Sequence, residues 1–258
     1  MISSDQSRPT VHTLVADEMP RLAAALGDSP ETVIAHYLLV TGACNAWCVD
    51  GIDGLTAAVV QAELMPAEPT AFGTSAEDIV RIISHVAGWT SILVPAALAR
   101  SLERPIAVAA GTLAINTLED VYHVLDGPVA TFDRHPDVRL LTPDDAELLG
   151  DLGALSSTDT GEMIVAAAIV EDQIVSLAHT FAWSPAHVDI GVTTHEEWRG
   201  HGYATSAAAI VSEEILKQGR TPVWSCGAHN EPSMRIAARL GFRETSRKVY
   251  IIPLKKDS

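Results

Sequence analysis

Positive charge is scarce in this sequence. Lys and Arg total 17 against 33 Asp and Glu, a formal charge of -16. That balance excludes nucleic acid as an expected partner, because phosphate backbones need a basic footprint. It suits a cationic substrate such as an amine, and it also serves simply to keep a protein soluble. Cysteine is scarce as well. Cys44, Cys48 and Cys226 are an odd, sparse set, which excludes a disulfide framework. Cys44 and Cys48 have no His or Cys partners at ligand spacing, so no metal site is expected. No apolar run reaches the length of a membrane span, and the N-terminus lacks the basic stretch and apolar core of a signal peptide. A cytoplasmic protein without a membrane partner is the expectation.

What is present is the material of a globular chain. Hydrophobic residues make up 47% and charged residues 19% of 258 positions, enough for one large domain or two modest ones. Residues 1–12 are polar and expected to be loose. Asp17 to Leu26 has helical spacing with Gly27 as a stop, and Ser29 is placed to cap a helix over Pro30 to Val40. Ala57 to Leu64 reads as a strand, while Pro66, Pro69 and Gly73 mark loop. Ser75 and Asp78 have capping-box spacing before a helix to about Val86. A short apolar run at Ser91 to Val94, a helix over Pro95 to Ser101 and a strand over Leu118 to Leu125 complete an α/β unit. It contains no catalytic constellation, and His85, His123 and Trp89 read as packing or surface residues. The turn-rich stretch from Gly127 to Pro136 is the expected boundary between domains 1–130 and 131–258.

Beyond it the spacing predicts a strand over Val138 to Leu141, a helix opened by Thr142 and Pro143, and a loop at 153–161. Met163 to Val170 and Ile174 to Trp183 form a hairpin about residues 171–173. From Val188 to Ala204 two periodicities meet. Val188, Ile190 and Val192 alternate with Asp189, Gly191 and Thr193, whereas Ala204, Ala207, Ala208, Val211 and Ile215 share one helical face. Arg199, Gly200, Gly202 and Ala204 sit between. Such a junction aims backbone N–H groups and the helix dipole at a phosphate; an ordinary strand-to-helix turn is the plainer alternative. That helix is expected to end near Lys217, with Gly219 as stop. A strand over Val223 to Cys226, a helix capped by Asn230 and ending at Leu240-Gly241, and a strand over Arg243 to Ile252 follow.

This order of elements, with Arg199-Gly-His-Gly-Tyr-Ala204 between strand and helix and then Asn230-Glu-Pro-Ser233 and Leu240-Gly241-Phe242 downstream, resembles the GNAT superfamily of acyl-CoA-dependent N-acyltransferases over residues 131–258. The absence of a three-glycine Rossmann pattern points the same way. The resemblance implies an α/β (α+β) fold with a mixed, mostly antiparallel sheet flanked by helices. The first half resembles, more weakly, the partner domain of two-domain members, read as a degenerate, non-catalytic copy.

By the same resemblance acetyl-CoA is the co-substrate. Its pantetheine arm would pair with the backbone of Val192, Thr193 and Thr194, and its pyrophosphate would meet Gly200, His201, Gly202, Tyr203, Ala204 and Thr205. Arg199 would touch a phosphate or order the loop, and the His201 ring is not counted on as a fixed clamp. Asn230 would bond the arm while capping its helix. The Val192 N–H would meet the oxyanion. Asp189 and His179 are candidate bases, and Asp189 would need burial to act. Many members draw a general acid from a tyrosine at the position of Ala237; Ser233, Tyr250, Cys226 or water would have to replace it here. The expected partners are a small-molecule amine and a second copy of the chain in a homodimer. A regulatory acyl-CoA-binding protein and a protein lysine acetyltransferase stand as alternatives.

Overall fold

The computed structural model describes residues 9–149 and 163–254. The expected loop at 153–161 and the first eight residues lie outside them. The chain forms two compact units, one of Met1–Gly27, Leu38–Glu119 and Arg247–Ser258, the other of Asp28–Tyr37 and Asp120–Ser246. Compactness therefore does not follow a single cut after residue 130, because two short stretches of chain are exchanged.

The first unit contains β1 (Val11–Thr13), α1 (Met19–Leu26), the end of α2 (Val33–Thr41), β2 (Cys44–Val49), β3 (Ala57–Ala62), β4 (Thr70–Gly73), α3 (Ala76–Ile83), β5 (Ile92–Pro95), α4 (Ala96–Ala109) and the start of β6 (Ile115–Val124). β1 to β4 pair antiparallel in chain order. β5 lies parallel to β4 with one rung, Thr70 opposite Leu93. Its other neighbour is the end of β12 (Arg243–Pro253), with Lys248 opposite Pro95. Ile79, Ile82 and Ile83 of α3 and Leu102 and Ile106 of α4 bury the core against Val59, Ala71, Ile92 and Val94.

Several elements here differ from expectation. β4 replaces an expected loop: its four residues, which follow Pro69 and end on Gly73, are too few to show a period, yet Ala71 and Phe72 are buried. β1 and β2 were not anticipated; β1 tethers part of the segment expected to be loose. α2 starts three residues late because Ser29 to Thr32 form a turn in which the Thr32 hydroxyl accepts from the Ser29 N–H. α4 runs through Pro105 to Ala109 instead of ending at Ser101.

A proline also interrupts the β4–β5 ladder. Ser91 N–H donates to Ala67 O at 3.1 Å and Leu93 N–H to Pro69 O at 3.0 Å. The next rung needs an N–H at residue 95, which is proline. Lys248, directly across from Pro95, donates from Nζ to Ala71 O at 3.1 Å and lies 3.9 Å from the Phe72 ring centroid. The ammonium supplies the missing donor.

In the second unit the strands β7 (Val138–Leu140), β8 (Val165–Val170), β9 (Gln173–Trp183), β10 (His187–Thr194) and β11 (Thr221–Gly227) follow one another across the sheet, and residues 120–124 of β6 lie beyond β11. All pairs are antiparallel except β10 with β11. The hairpin turns on Glu171 and Asp172, both with φ near +55° (51 and 60), the left-handed pair that matches strand twist. α6 (Tyr203–Lys217) packs Ala207, Ala208, Val211 and Ile215 on Ala166, Ala168, Ala178, Val188 and Ile190; α7 (Glu231–Leu240) adds Ala237 and Leu240. The helix expected at Thr142 is short: a 3-10 turn at Pro143–Asp145 and then α5 (Ala146–Leu149). The Asp145 carboxylate accepts from the Thr142 N–H and from Arg139, which hold it well below the usual carboxylate range. The mixed α/β architecture, a mostly antiparallel sheet flanked by helices, is the expected one.

Candidate active site

The site begins where two strands part. β10 and β11 pair at His187 with Thr221, Val188 with Pro222 and Asp189 with Val223, and at no later position. β10 continues beside β9 to Thr194, and β11 continues beside β6 to Gly227, so a gap opens past Asp189. The His195 N–H donates to Val175 O at 2.9 Å. Antiparallel pairs alternate between bonded and non-bonded, so Thr193 and Gly191 also bond to β9. The Ser176 hydroxyl reaching Thr193 O fits that phase. Val192 and Thr194 therefore turn their N–H and C=O groups into the gap. Thr193, expected to pair with a bound arm, instead spends its backbone on β9.

At the far end of β10 a 3-10 turn, Glu196–Trp198, leads to Gly200 and Gly202, both at φ +83°. Only glycine holds that conformation without strain. α6 starts at Tyr203 with Gly202 as N-cap, no side-chain cap and no acid in its first turn. The first helical bond is Ser206 N–H to Gly202 O. The N–H groups of Tyr203, Ala204 and Thr205 thus have no helical carbonyl to serve. Thr205 borders a cavity of about 310 Å³ whose wall also includes Gly200 to Gly202, Ser206, Phe132 to Pro136, and Arg239 of α7.

Within this cavity wall, Arg239 holds its guanidinium 5.2 Å above the Phe132 ring and has no carboxylate partner among the described residues. Arg134 is neutralised by Glu213. Arg199 is not in the wall; its N–H closes the 3-10 turn on Glu196 O. His201 staples the loop, with Nδ1 at 3.2 Å from Trp198 O and 3.1 Å from Arg199 O and its ring stacked on Tyr203. The Tyr203 side chain is buried, so only its backbone is available.

Asp189 sits at the last shared rung of β10 and β11 and is 4% exposed. Ser225 donates its hydroxyl to Asp189 Oδ1 at 3.2 Å. Burial pushes the carboxyl up to about 7; the charge of Asp120 adds to the rise, and the Ser225 bond opposes it. His179 lies opposite Gly191 on β9, its pKa lowered by burial. A Cβ at Gly191 would come within 2.7 Å of His179 Nε2, so glycine here makes room for the ring. The two candidate bases therefore share one face of the sheet.

Asn230 caps α7, its Oδ1 accepting from Ser233 N–H at 3.3 Å. The Ser233 hydroxyl accepts the Trp224 indole N–H at 3.0 Å. Cys226 lies 3.5 Å from Met234 Sδ, and burial raises its thiol pKa. Ala237, where the resemblance looks for tyrosine, is buried in the core. Tyr250 belongs to the first unit, opposite Leu93. Trp47 and Trp89 pack on the first unit's core, and Tyr122 is buried beside Ser225 in the second. His123 is a packing residue, its Nδ1 3.3 Å from Trp224 O. Sequence spacing marks neither Ser225 nor Arg239 as functional, and it marks the 132–136 wall only as part of the expected domain boundary. Alternation along 221–227 does put Ser225 on the face of Val223, whereas no local pattern marks Arg239. Among the described residues no cluster of His, Cys, Asp or Glu is arranged to hold a metal, and no helix is long and apolar enough to cross a membrane.

Residues 163–250 match the family model for GNAT acetyltransferases. Among solved structures the chain is similar to a GCN5-related N-acetyltransferase-like protein from Streptococcus suis 89/1591, with 20% identity and a TM-score of 0.61 over 92% of this chain and 98% of that one. A GCN5-related N-acetyltransferase from Sphaerobacter thermophilus gives 15% identity and 0.60 over 95% of each chain. A tandem GNAT protein from the clavulanic acid biosynthesis pathway gives 15% and 0.58 over 96% and 100%. At such identities the likeness is one of fold, and it runs through both units. No curated protein matches the sequence.

Proposed function

We propose that this chain, whose residues 163–250 are a GNAT acetyltransferase domain, transfers the acetyl group of acetyl-CoA to a primary amine of a small molecule: an amino acid, a polyamine or an amine-bearing antibiotic. The observation that carries the reading is the gap after the Asp189–Val223 rung, with an uncapped helix N-terminus beyond it. The residues present fit the co-substrate. Val192 and Thr194 offer backbone groups to the pantetheine amides, and the N–H groups of residues 203–205 offer donors to the pyrophosphate. A dipole at such a terminus adds about 0.3–1 kcal/mol at an exposed site. Arg239 adds a cation in the same wall. Acetyl-CoA, when bound, supplies the acetyl group as a reactive thioester.

The chain's own residues then have two tasks. The Val192 N–H donates to the thioester carbonyl oxygen, where negative charge develops. Asp189 takes the proton of the amine. An amine of pKa about 10.4 is deprotonated in roughly one molecule in 2,500 at pH 7, a deficit of about 4–5 kcal/mol that a base offsets. A carboxyl near 7 is matched to that work, whereas one at its ordinary value is a weak base. Water, or the Ser233 or Cys226 side chain, would give a proton to the departing thiolate.

The acidic balance of the chain supports a cationic acceptor. One feature favours a second reading, an acyl-CoA-binding regulator without turnover: Ala237 fills the position of the usual acid. Purified protein incubated with acetyl-CoA and an amine panel, with free thiol followed, separates the two. Thiol release with an amine supports the enzyme; tight binding of acetyl-CoA with no release across the panel sinks it.

A further inference from the structure

We infer that Ser225 is the positioning residue of the Asp189 carboxyl, tying down Oδ1 across the opening between β10 and β11 so that Oδ2 faces the acceptor amine. The inference rests on the reading of Asp189 as the base. Its geometry is independent of that reading. Asp189 and Val223 are the last partners of the parallel pair, and Ser225 is the next residue of β11 on the same face. Past Val223 no backbone pairing with β10 holds Ser225. Its place is set from the other side, by the ladder with β6, where it lies opposite Tyr122. A hydroxyl fixed by one strand thus reaches a carboxylate carried by another, at 3.2 Å, where their backbones no longer bond.

The bond has a chemical consequence. The hydroxyl can only donate to the carboxylate, so it favours the ionised form, while burial favours the neutral acid. Other charges around the group do not replace it. Asp120 on β6 opposes ionisation. On β9, His179 is biased toward its neutral form by burial. His187, on the same strand as Asp189, is engaged by Asp28 at 2.6 Å. On β11 the Cys226 thiol is pushed up by burial and stays protonated. Ser225 is therefore the group that keeps a buried acid usable as a base near neutrality. In the step itself the amine N–H bond breaks, its proton passes to Oδ2, and the Ser225 O–H bond is retained.

Carbon-13 NMR of protein labelled at aspartate carboxyls, with Asp189→Asn assigning the signal, reads the titration without any acceptor. Ser225→Ala is expected to move the Asp189 midpoint upward by about one pH unit, and Ser225→Thr to restore it. An unmoved midpoint in Ser225→Ala overturns the proposal. With an amine that the wild type acetylates, the acidic limb of kcat/KM should move by the same amount. Activity near pH 6.5 then falls about tenfold, activity near pH 9 is kept, and KM for acetyl-CoA is unchanged. A loss equal at every pH marks a merely structural role and also overturns it. Asp189→Asn separates the two claims. If it is inactive while Ser225→Ala titrates like the wild type, the base stands and Ser225 falls. If Asp189→Asn acetylates at the wild-type rate, the reading of Asp189 as base fails first.

Discussion

The two units run through the same order of elements, and they differ where a strand hands over to a helix. In the first, two residues separate β4 from α3. The Ser75 hydroxyl accepts from Asp78 N–H, and Glu77 and Asp78 put two acids in the first turn. In the second, eight residues separate β10 from α6, two glycines are left-handed, and no side chain caps the helix. The neighbouring strand pairs differ in the same sense. Lys248 reaches the β4 carbonyl that Pro95 leaves unserved, whereas the gap after Asp189 is where we propose that the co-substrate binds. One fold thus carries both a closed and an open version of the same junction. The proposed anion site rests on amides left uncapped, and the fold alone does not provide it.

The sharpest break of that comparison lies at the last parallel rung, which carries Asp189 in the second unit and neutral Thr70 in the first. Asp189→Asn is expected to lower kcat by about 10²–10⁴-fold, the range for loss of a general base, in the thiol-release assay. It should also change stability with a defined sign. The folded carboxyl titrates at about 7, above its ordinary value of 3.8, so between those values the folded state holds a proton that the unfolded chain has released. Stability therefore falls as pH rises from about 4 to about 7 and is level above. At pH 8 the variant should be the more stable by up to about 4 kcal/mol in urea unfolding, and near pH 4 the advantage should vanish.

Next in size is the closed junction. Lys248→Ala strands the Ala71 carbonyl and empties the space over Phe72, for a loss of about 2–4 kcal/mol in the same unfolding experiment. The amount of acetyl-CoA bound per folded chain should not change, since this gap lacks an uncapped helix beside it. An increase in that stoichiometry would show that Lys248 alone keeps the first unit empty. Gly202→Ala tests the open junction. A side chain at φ +83° costs about 1–2 kcal/mol, so if the loop yields, acetyl-CoA binding by calorimetry should weaken about tenfold. Unchanged affinity would show that the amides of α6 are not the phosphate grip.

The open junction was legible in sequence and most of the closed one was not. β10 has eight residues, long enough for Val188, Ile190 and Val192 to declare a period, and α6 has fifteen. β4 has four and β1 three, too short for any period to emerge. The capping of α3 could be read because Ser75 and Asp78 act locally, although Asp78 turns its carboxylate to the Thr56 hydroxyl instead of closing the box. Contacts between distant residues left no trace in spacing. Ser225 on Asp189, Arg239 in the cavity wall and Lys248 beneath β4 each depend on which strands or helices become neighbours. The same holds for the exchanged stretches, which no composition change marks. Asn230 was legible as a cap, and its cap bond to Ser233 N–H is formed.

The smallest effect tests the comparison at its root. Ser75→Ala removes the cap of α3 and should cost about 1 kcal/mol, read as a lowered urea midpoint with an unchanged slope. Ser75→Gly goes further toward the second unit, because it leaves α3 capped only by backbone, as α6 is. If the absence of a cap were sufficient, this variant would bind a second acetyl-CoA. It is not expected to, because Glu77 and Asp78 remain in the first turn and repel an anion from the amides that the serine released. Titration calorimetry should return the wild-type stoichiometry for Ser75→Gly. A second site appearing with that one change would mean that the acids of α3 are incidental and that a single hydroxyl separates the closed junction from the open one.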